Sequence, residues 1–217
     1  MTNSNVSVMD YRFNKYCNIK FTIENRKQKF LKQFKENHPR ATNFYRYVQP
    51  RNSLENKEFR KIYYNRCVYC GVSTQVLPAS LFEVDHFLSQ SECEKHRLTN
   101  VNHIDNLVSS CAMCNRGKSN YSCSHKYMNL LHPDKNQYPM LFYRDANYYL
   151  VIKKEYRNNV DVLNLFKALK FDNELRRIDY LIMELKDFCD TYSNDRLACK
   201  IKDIIEPIEQ LRRDTSI

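Results

Sequence analysis

The chain has 217 residues, 42 % of them apolar, with only two glycines and six prolines, which suffices for a real core and argues against a disordered or loop-dominated protein. No apolar run approaches the ~20 residues that cross a bilayer, and residues 1–13 show no basic stretch followed by an apolar one, so neither a membrane protein nor a secreted one is expected. Nine cysteines, an odd number without an export signal, point to free thiols in a reducing cytoplasm rather than a disulfide framework.

The net charge of +10 is unevenly spread: residues 1–66 carry 15 Lys/Arg against 5 Asp/Glu, and residues 67–217 carry 20 of each. A basic region at 1–66, a central module at 67–160 and a helical region at 161–217 are therefore expected. Within the first region, residues 23–40 have helical spacing, with Ile23, Phe30, Leu31 and Phe34 forming an apolar stripe among Lys27, Lys29, Lys32 and Lys35, and Pro39 closing the helix. Residues 49–53, with Pro50, read as a loop, and 54–64 as a second helix. Cations alternate with aromatic residues in Phe44-Tyr45-Arg46-Tyr47 and in Phe59-Arg60-Lys61-Ile62-Tyr63-Tyr64-Asn65-Arg66. Lys61 and Arg66 here are candidates to meet nucleic-acid phosphates beside rings that stack on bases; a solvated helix face over core aromatics accounts for them equally well.

Cys67-Val68-Tyr69-Cys70-Gly71 and Cys111-Ala112-Met113-Cys114 form two CxxC pairs. Two residues between thiolates let one tight turn supply two ligands, and two such turns complete the tetrahedron zinc requires. Gly71 suits the left-handed conformation of such a turn. Four sulfur ligands leave no position for water, so this zinc is expected to hold the fold rather than catalyse. Cys17, Cys93, Cys189 and Cys199 lack ligand-spaced partners, the Cys123/His125 pair lacks a second one, and His96, His103 and His132 read as surface or packing residues.

Between the pairs, Phe82-Glu83-Val84-Asp85-His86-Phe87 alternates like a strand, residues 88–104 read as a polar loop, and 106–110 return antiparallel. A helix starting near Cys114 then carries Asn115 against Asp85. His86 has a side chain that takes a proton near neutrality, while Asp85 and the Asn115 amide offer hard oxygens for Mg²⁺. Glu83 reads as an outward strand carboxylate.

The order CxxC, Asp85-His86, Asn106-Leu107, then Cys111-Ala112-Met113-Cys114-Asn115-Arg116-Gly117-Lys118-Ser119-Asn120 resembles the HNH, or ββα-metal, endonucleases across about a quarter of the chain. The resemblance implies an α+β fold: a mainly helical protein around a zinc-stapled ββα-metal module. It also implies a hydrolase of nucleic-acid phosphodiester bonds, with DNA as partner. His86 would be the general base, Asp85 and Asn115 would hold a catalytic Mg²⁺ or Mn²⁺, and Asn106 would fix the loop and the histidine. Arg116 and Lys118 would contact phosphate, with solvated helix charges as the alternative. Two residues depart from the common pattern: Ser89 stands where many relatives have proline, and Asn115 replaces histidine as the third motif letter. A non-catalytic zinc module that only binds nucleic acid is the competing reading; it gives no reason for the spacing of Asp85-His86, Asn106 and Asn115.

Downstream, Leu141-Phe142-Tyr143 and residues 148–152 read as short strands joined by a turn at 144–147. Residues 162–169 follow helical spacing, 175–189 trace one face of a longer helix capped by Asp172 or Asn173, and a stretch from 197 to 211 is expected to break at Pro207. Leu131-His132-Pro133-Asp134, Phe142-Tyr143-Arg144-Asp145 and Leu175-Arg176-Arg177-Ile178-Asp179-Tyr180-Leu181 loosely resemble HNH proteins of bacterial anti-phage operons, of the Septu and retron-associated kind. That likeness implies a defence role and an ATPase partner, docked on the C-terminal helices.

Overall fold

Helix α1 (Ile23–Asn37) buries Ile23, Phe30 and Phe34, and the same spacing turns Lys27 inward. Lys27 was expected among the solvated charges. Its position one turn from Ile23 and Phe30 instead leaves it 3 % exposed, so its ammonium must find acceptors inside. It donates to the Leu107 carbonyl (2.8 Å) and pairs with Asp134 (2.5 Å). The structure is a computed structural model describing residues 10–17, 19, 22–95, 100–119 and 121–215; His96 and Asn120 lie outside the described residues.

A short helix α2 (Tyr45–Val48), not anticipated from the sequence, precedes α3 (Leu54–Ile62). Ser53 caps α3 by accepting from the Asn56 amide. The helix stops short of the expected 64 because Tyr64 and Asn65 both adopt positive φ.

Strand β1 (Phe82–His86) leads into α4 (Gln90–Lys95), which occupies part of the expected loop; the Ser89 hydroxyl accepts from the Glu92 amide at its start. Strand β2 (Leu107–Cys111) then returns antiparallel to β1, with Phe82 opposite Cys111 and His86 opposite Leu107. Helix α5 (Ala112–Lys118) follows without a break and contacts both strands. After α6 (Met128–Leu131), β3 (Phe142–Arg144) and β4 (Leu150–Ile152) form the expected hairpin, whose turn is held by Asp145 accepting from the Asn147 and Tyr149 amides.

Helices α7 (Val160–Ala168), α8 (Glu174–Thr191) and α9 (Arg196–Thr215) complete the chain, and Asn173 caps α8. Contrary to expectation, α9 runs through Pro207. A helical proline loses a hydrogen bond and crowds the preceding turn at a cost of about 3 kcal/mol. Here α9 is held to α8 on both sides of it. Cys189 donates to the Ala198 carbonyl before Pro207, while Lys186–Glu209 and Arg212–Asp179 pair after it. One continuous core joins α1, α3, the knuckles, β1, β2, the β3–β4 hairpin and α7. Among the described residues no helix is long and apolar enough to cross a membrane.

Both glycines mark close approaches. Gly71 has φ +83°, and a Cβ there would meet the Arg12 carbonyl oxygen at 2.3 Å; at Gly117, inside α5, a Cβ would lie 2.4 Å from the Ala168 carbonyl oxygen. Intrinsic propensity favours alanine over glycine in a helix by about 1 kcal/mol, but this contact with α7 reverses the sign. Gly117→Ala should lower the melting temperature of the zinc-loaded protein. A rise, measured by circular dichroism, would mean that α5 does not seat on α7 as described.

Candidate active site

The sulfurs of Cys67, Cys70, Cys111 and Cys114 are all buried and lie within 4.8 Å of one another. The Cys70 and Cys111 sulfurs are 3.9 Å apart. This is far from a disulfide bond length of about 2 Å and close to the ~3.8 Å edge of a tetrahedron with Zn–S bonds of about 2.3 Å. The donor set and its spacing fit zinc. The first knuckle is closed by Gly71 donating to the Cys67 carbonyl, and it docks on β2 through the Val68 amide and the Ser109 carbonyl. Arg176 of α8 points its guanidinium at the cluster, donating to the Cys111 sulfur at 3.8 Å and to the Leu169 carbonyl at 2.7 Å. Burial works against its charge, but the four cysteines more than offset that and hold the guanidinium firmly protonated. The cluster's negative charge thus meets a buried cation.

Cys111 ends β2 and Cys114 lies in α5, so the cluster also sets how α5 lies against β1. Its side chains meet both carboxylates of that strand. The Asn115 amide nitrogen donates to Glu83 (2.7 Å), and the Lys118 ammonium pairs with Asp85 (3.2 Å). Residues two apart on a strand share a face, so Glu83 and Asp85 form one acidic row under α5. Tyr69, between the cysteines of the first knuckle, donates its hydroxyl to the other Asp85 oxygen (2.8 Å). Burial pushes the Asp85 carboxyl above the usual range, against the opposing pull of Lys118 and Tyr69. A buried carboxyl not fully compensated by its neighbours gains from a further cation, and each of its oxygens keeps a second lone pair.

His86, at the end of β1, is half-buried. Its Nε2 meets the Asn102 side-chain oxygen at 2.9 Å, and its ring lies 4.4 Å from the Tyr45 ring. Asn106 clamps the loop between the strands. It accepts from the Leu88 amide and donates to the Leu88 and Val101 carbonyls, each at 2.9 Å, and its main-chain oxygen accepts from Phe87. The side chain hydrogen-bonded to the imidazole is therefore Asn102, with Asn106 holding both ends of the segment that presents it.

Several placements differ from the sequence reading. Asn115 contacts Glu83 rather than Asp85, and Glu83 is no outward carboxylate: Arg51 (3.1 Å) and Arg116 (3.6 Å) also converge on it. Lys118 is not placed to meet phosphate. It is 3 % exposed, and besides Asp85 its ammonium donates to the His86 and Phe87 carbonyls, so it braces the end of β1. Arg66 is likewise buried, donating to the Gly71 carbonyl and pairing with Asp187 at 3.5 Å beneath the knuckle. Lys61 is exposed and paired with Glu58 within its own helix (2.7 Å). Arg116, with its side chain 75 % exposed, keeps a free outer face at the rim. Sequence reasoning missed Tyr45, Tyr69, Asn102 and Arg176. Tyr69 carried a signal in its place inside the CxxC turn, and Tyr45 in the cation–aromatic alternation, which pointed to bases and not to His86.

Residues 67–121 match the family model described as HNH endonuclease. Neither a curated protein nor a solved structure matches the chain.

Outer donors to metal-bound ligands typically contribute 10–100-fold to metal affinity. Arg176→Met should weaken zinc retention by about that much, with Arg176→Lys intermediate, measured as competition with a chromogenic chelator. Unchanged retention in Arg176→Met would mean that the guanidinium does not serve the cluster.

Proposed function

We propose that the chain is a metal-dependent endonuclease that hydrolyses phosphodiester bonds in DNA, with His86 as general base. The observation that carries this reading is the convergence of α5 on the acidic row of β1, beside a histidine whose far nitrogen is already engaged. An amide oxygen only accepts hydrogen bonds. The Asn102 contact therefore favours the tautomer with the proton on Nε2 and the lone pair on Nδ1, the form that can take a proton from an attacking water.

Asp85, Glu83 and the Asn115 side-chain oxygen would hold Mg²⁺ or Mn²⁺. All are hard donors, and a few protein oxygens leave the positions for water and phosphate that such ions require. When bound, the ion supplies counter-charge to the crowded phosphate oxygens and to the departing oxygen. Asn115 gives its nitrogen to Glu83, which turns its oxygen away from that contact. Arg51 and Arg116, both exposed and both paired with Glu83, would contact backbone phosphates beside the site. The zinc cluster has no part in the chemistry on this reading. An anti-phage role with an ATPase partner, and a cytoplasmic setting, rest on the flanking motifs and the cysteine usage alone.

The test is incubation of the purified protein with plasmid DNA and Mg²⁺ or Mn²⁺, with and without chelator. Metal-dependent nicking or cutting is expected, and His86→Ala should slow it by at least ~10²-fold while DNA binding and zinc content persist. Tight DNA binding with no cleavage under any metal condition would support the binding-module reading instead.

A further inference from the structure

Residues 44–48 lie outside the interval matched by the nuclease family model, yet they reach the site. Tyr45 stands with its ring centroid 4.4 Å from that of His86 and the planes 39° apart. The residue is held there from three directions. The Phe44 amide donates to the main-chain oxygen of Asn102 (3.1 Å), and the Asn100 side chain donates to the Thr42 carbonyl (3.0 Å). Val48 is fully buried, and its carbonyl accepts from the Asn56 side chain in α3 (2.6 Å).

Asn102 thus acts twice. Its side chain takes the edge of the imidazole, and its main chain fixes the residue preceding Tyr45, whose ring packs tilted against the imidazole. A histidine at a strand end, half-buried and held at one nitrogen only, can still rotate about that contact. A ring packed against the imidazole removes this freedom.

We infer that Tyr45 is a positioning residue of the proposed nuclease site: α2 is a built part of that site, and its tyrosine ring holds the plane of His86 so that Nδ1 faces the reacting centre. The inference rests on the reading of His86 as base. It concerns the ring and not the hydroxyl, so phenylalanine should replace tyrosine and alanine should not. Misplacement of a reacting group by about 1 Å can cost on the order of 10²-fold in rate.

The experiment uses the full-length zinc-loaded chain as wild type, Tyr45→Phe, Tyr45→Leu and Tyr45→Ala, with two measurements. In single-turnover plasmid cleavage with Mg²⁺, Tyr45→Ala and Tyr45→Leu should lose about 10–100-fold in the cleavage step, with half-saturation by DNA nearly unchanged, and Tyr45→Phe should stay near wild type. In proton NOE spectra, the His86 ring should show one fixed set of contacts to its neighbours in β1 and the 100–106 loop in wild type and Tyr45→Phe, and an averaged set in Tyr45→Ala. Tyr45→Leu, which keeps the apolar volume, separates the aromatic clamp from simple packing. A cleavage rate and an imidazole orientation unchanged in Tyr45→Ala would overturn the inference, as would Tyr45→Phe falling as far as alanine. If the wild type does not cut at all, the nuclease reading fails, while the imidazole spectra still judge the clamp by themselves.

Discussion

The two cysteine knuckles stand at either end of residues 71–110, forty residues that hold β1, α4 and β2, and the meeting of their four sulfurs closes this excursion into one unit. A two-stranded sheet and a seven-residue helix do not stand alone in water. Closing a loop of this length costs entropy that grows only slowly with its size, whereas zinc held by four thiolates contributes on the order of 10 kcal/mol. The cluster therefore sets more than local structure. Cys111 closes β2 and Cys114 lies in the first turn of α5, so the metal would fix the direction in which α5 leaves the sheet. That direction brings Asn115 and Lys118 over the β1 carboxylates.

The surroundings of this unit are stitched by cations that are buried rather than displayed. Lys118 ties Asp85 to the end of β1, Lys27 ties α1 to the start of β2 through Leu107 and Asp134, and Arg66 braces the first knuckle. Removing one partner of a buried pair costs about 3–5 kcal/mol because the other charge is left unmet. Each of these three ends on a carboxylate and a main-chain carbonyl, and for Lys118 and Lys27 that carbonyl belongs to a strand, so a shift of the strand would orphan it. The basic excess of residues 1–66 is thus partly architectural: Arg66 is buried, and of the exposed cations Lys61 pairs within its own helix while Arg51 reaches Glu83.

What could be read from the sequence was whatever short-range spacing controls. The knuckles, the strand ending in Asp85-His86, the antiparallel return, α5 and the three C-terminal helices all follow from two- and 3.6-residue periods or from ligand spacing. The contents of the 88–104 loop were less plain, although Ser89 and Glu92 form the S-x-x-E pattern that opens a helix. The sign of exposure at Lys27, Arg66 and Lys118 was not legible, since charge argues for solvent and only the tertiary fold shows three acceptor sites in wait. Asn102 and Tyr45 were equally hidden. One lies in a loop and the other in a four-residue helix, and no period connects either to His86. Pro207 misled for a related reason: its local cost is real, but contacts with α8 on both sides hold the helix through it.

On the proposed reading, one zinc-held framework gathers Asp85, Asn115 and His86 around a second, hydrated cation. Titrating Mn²⁺ into the zinc-loaded chain while following ¹⁵N-histidine spectra addresses it most directly. The first equivalent of Mn²⁺ should broaden His86 strongly, and Asp85→Ala should abolish this effect without loss of zinc. Broadening that spares His86, or that survives Asp85→Ala unchanged, would contradict it.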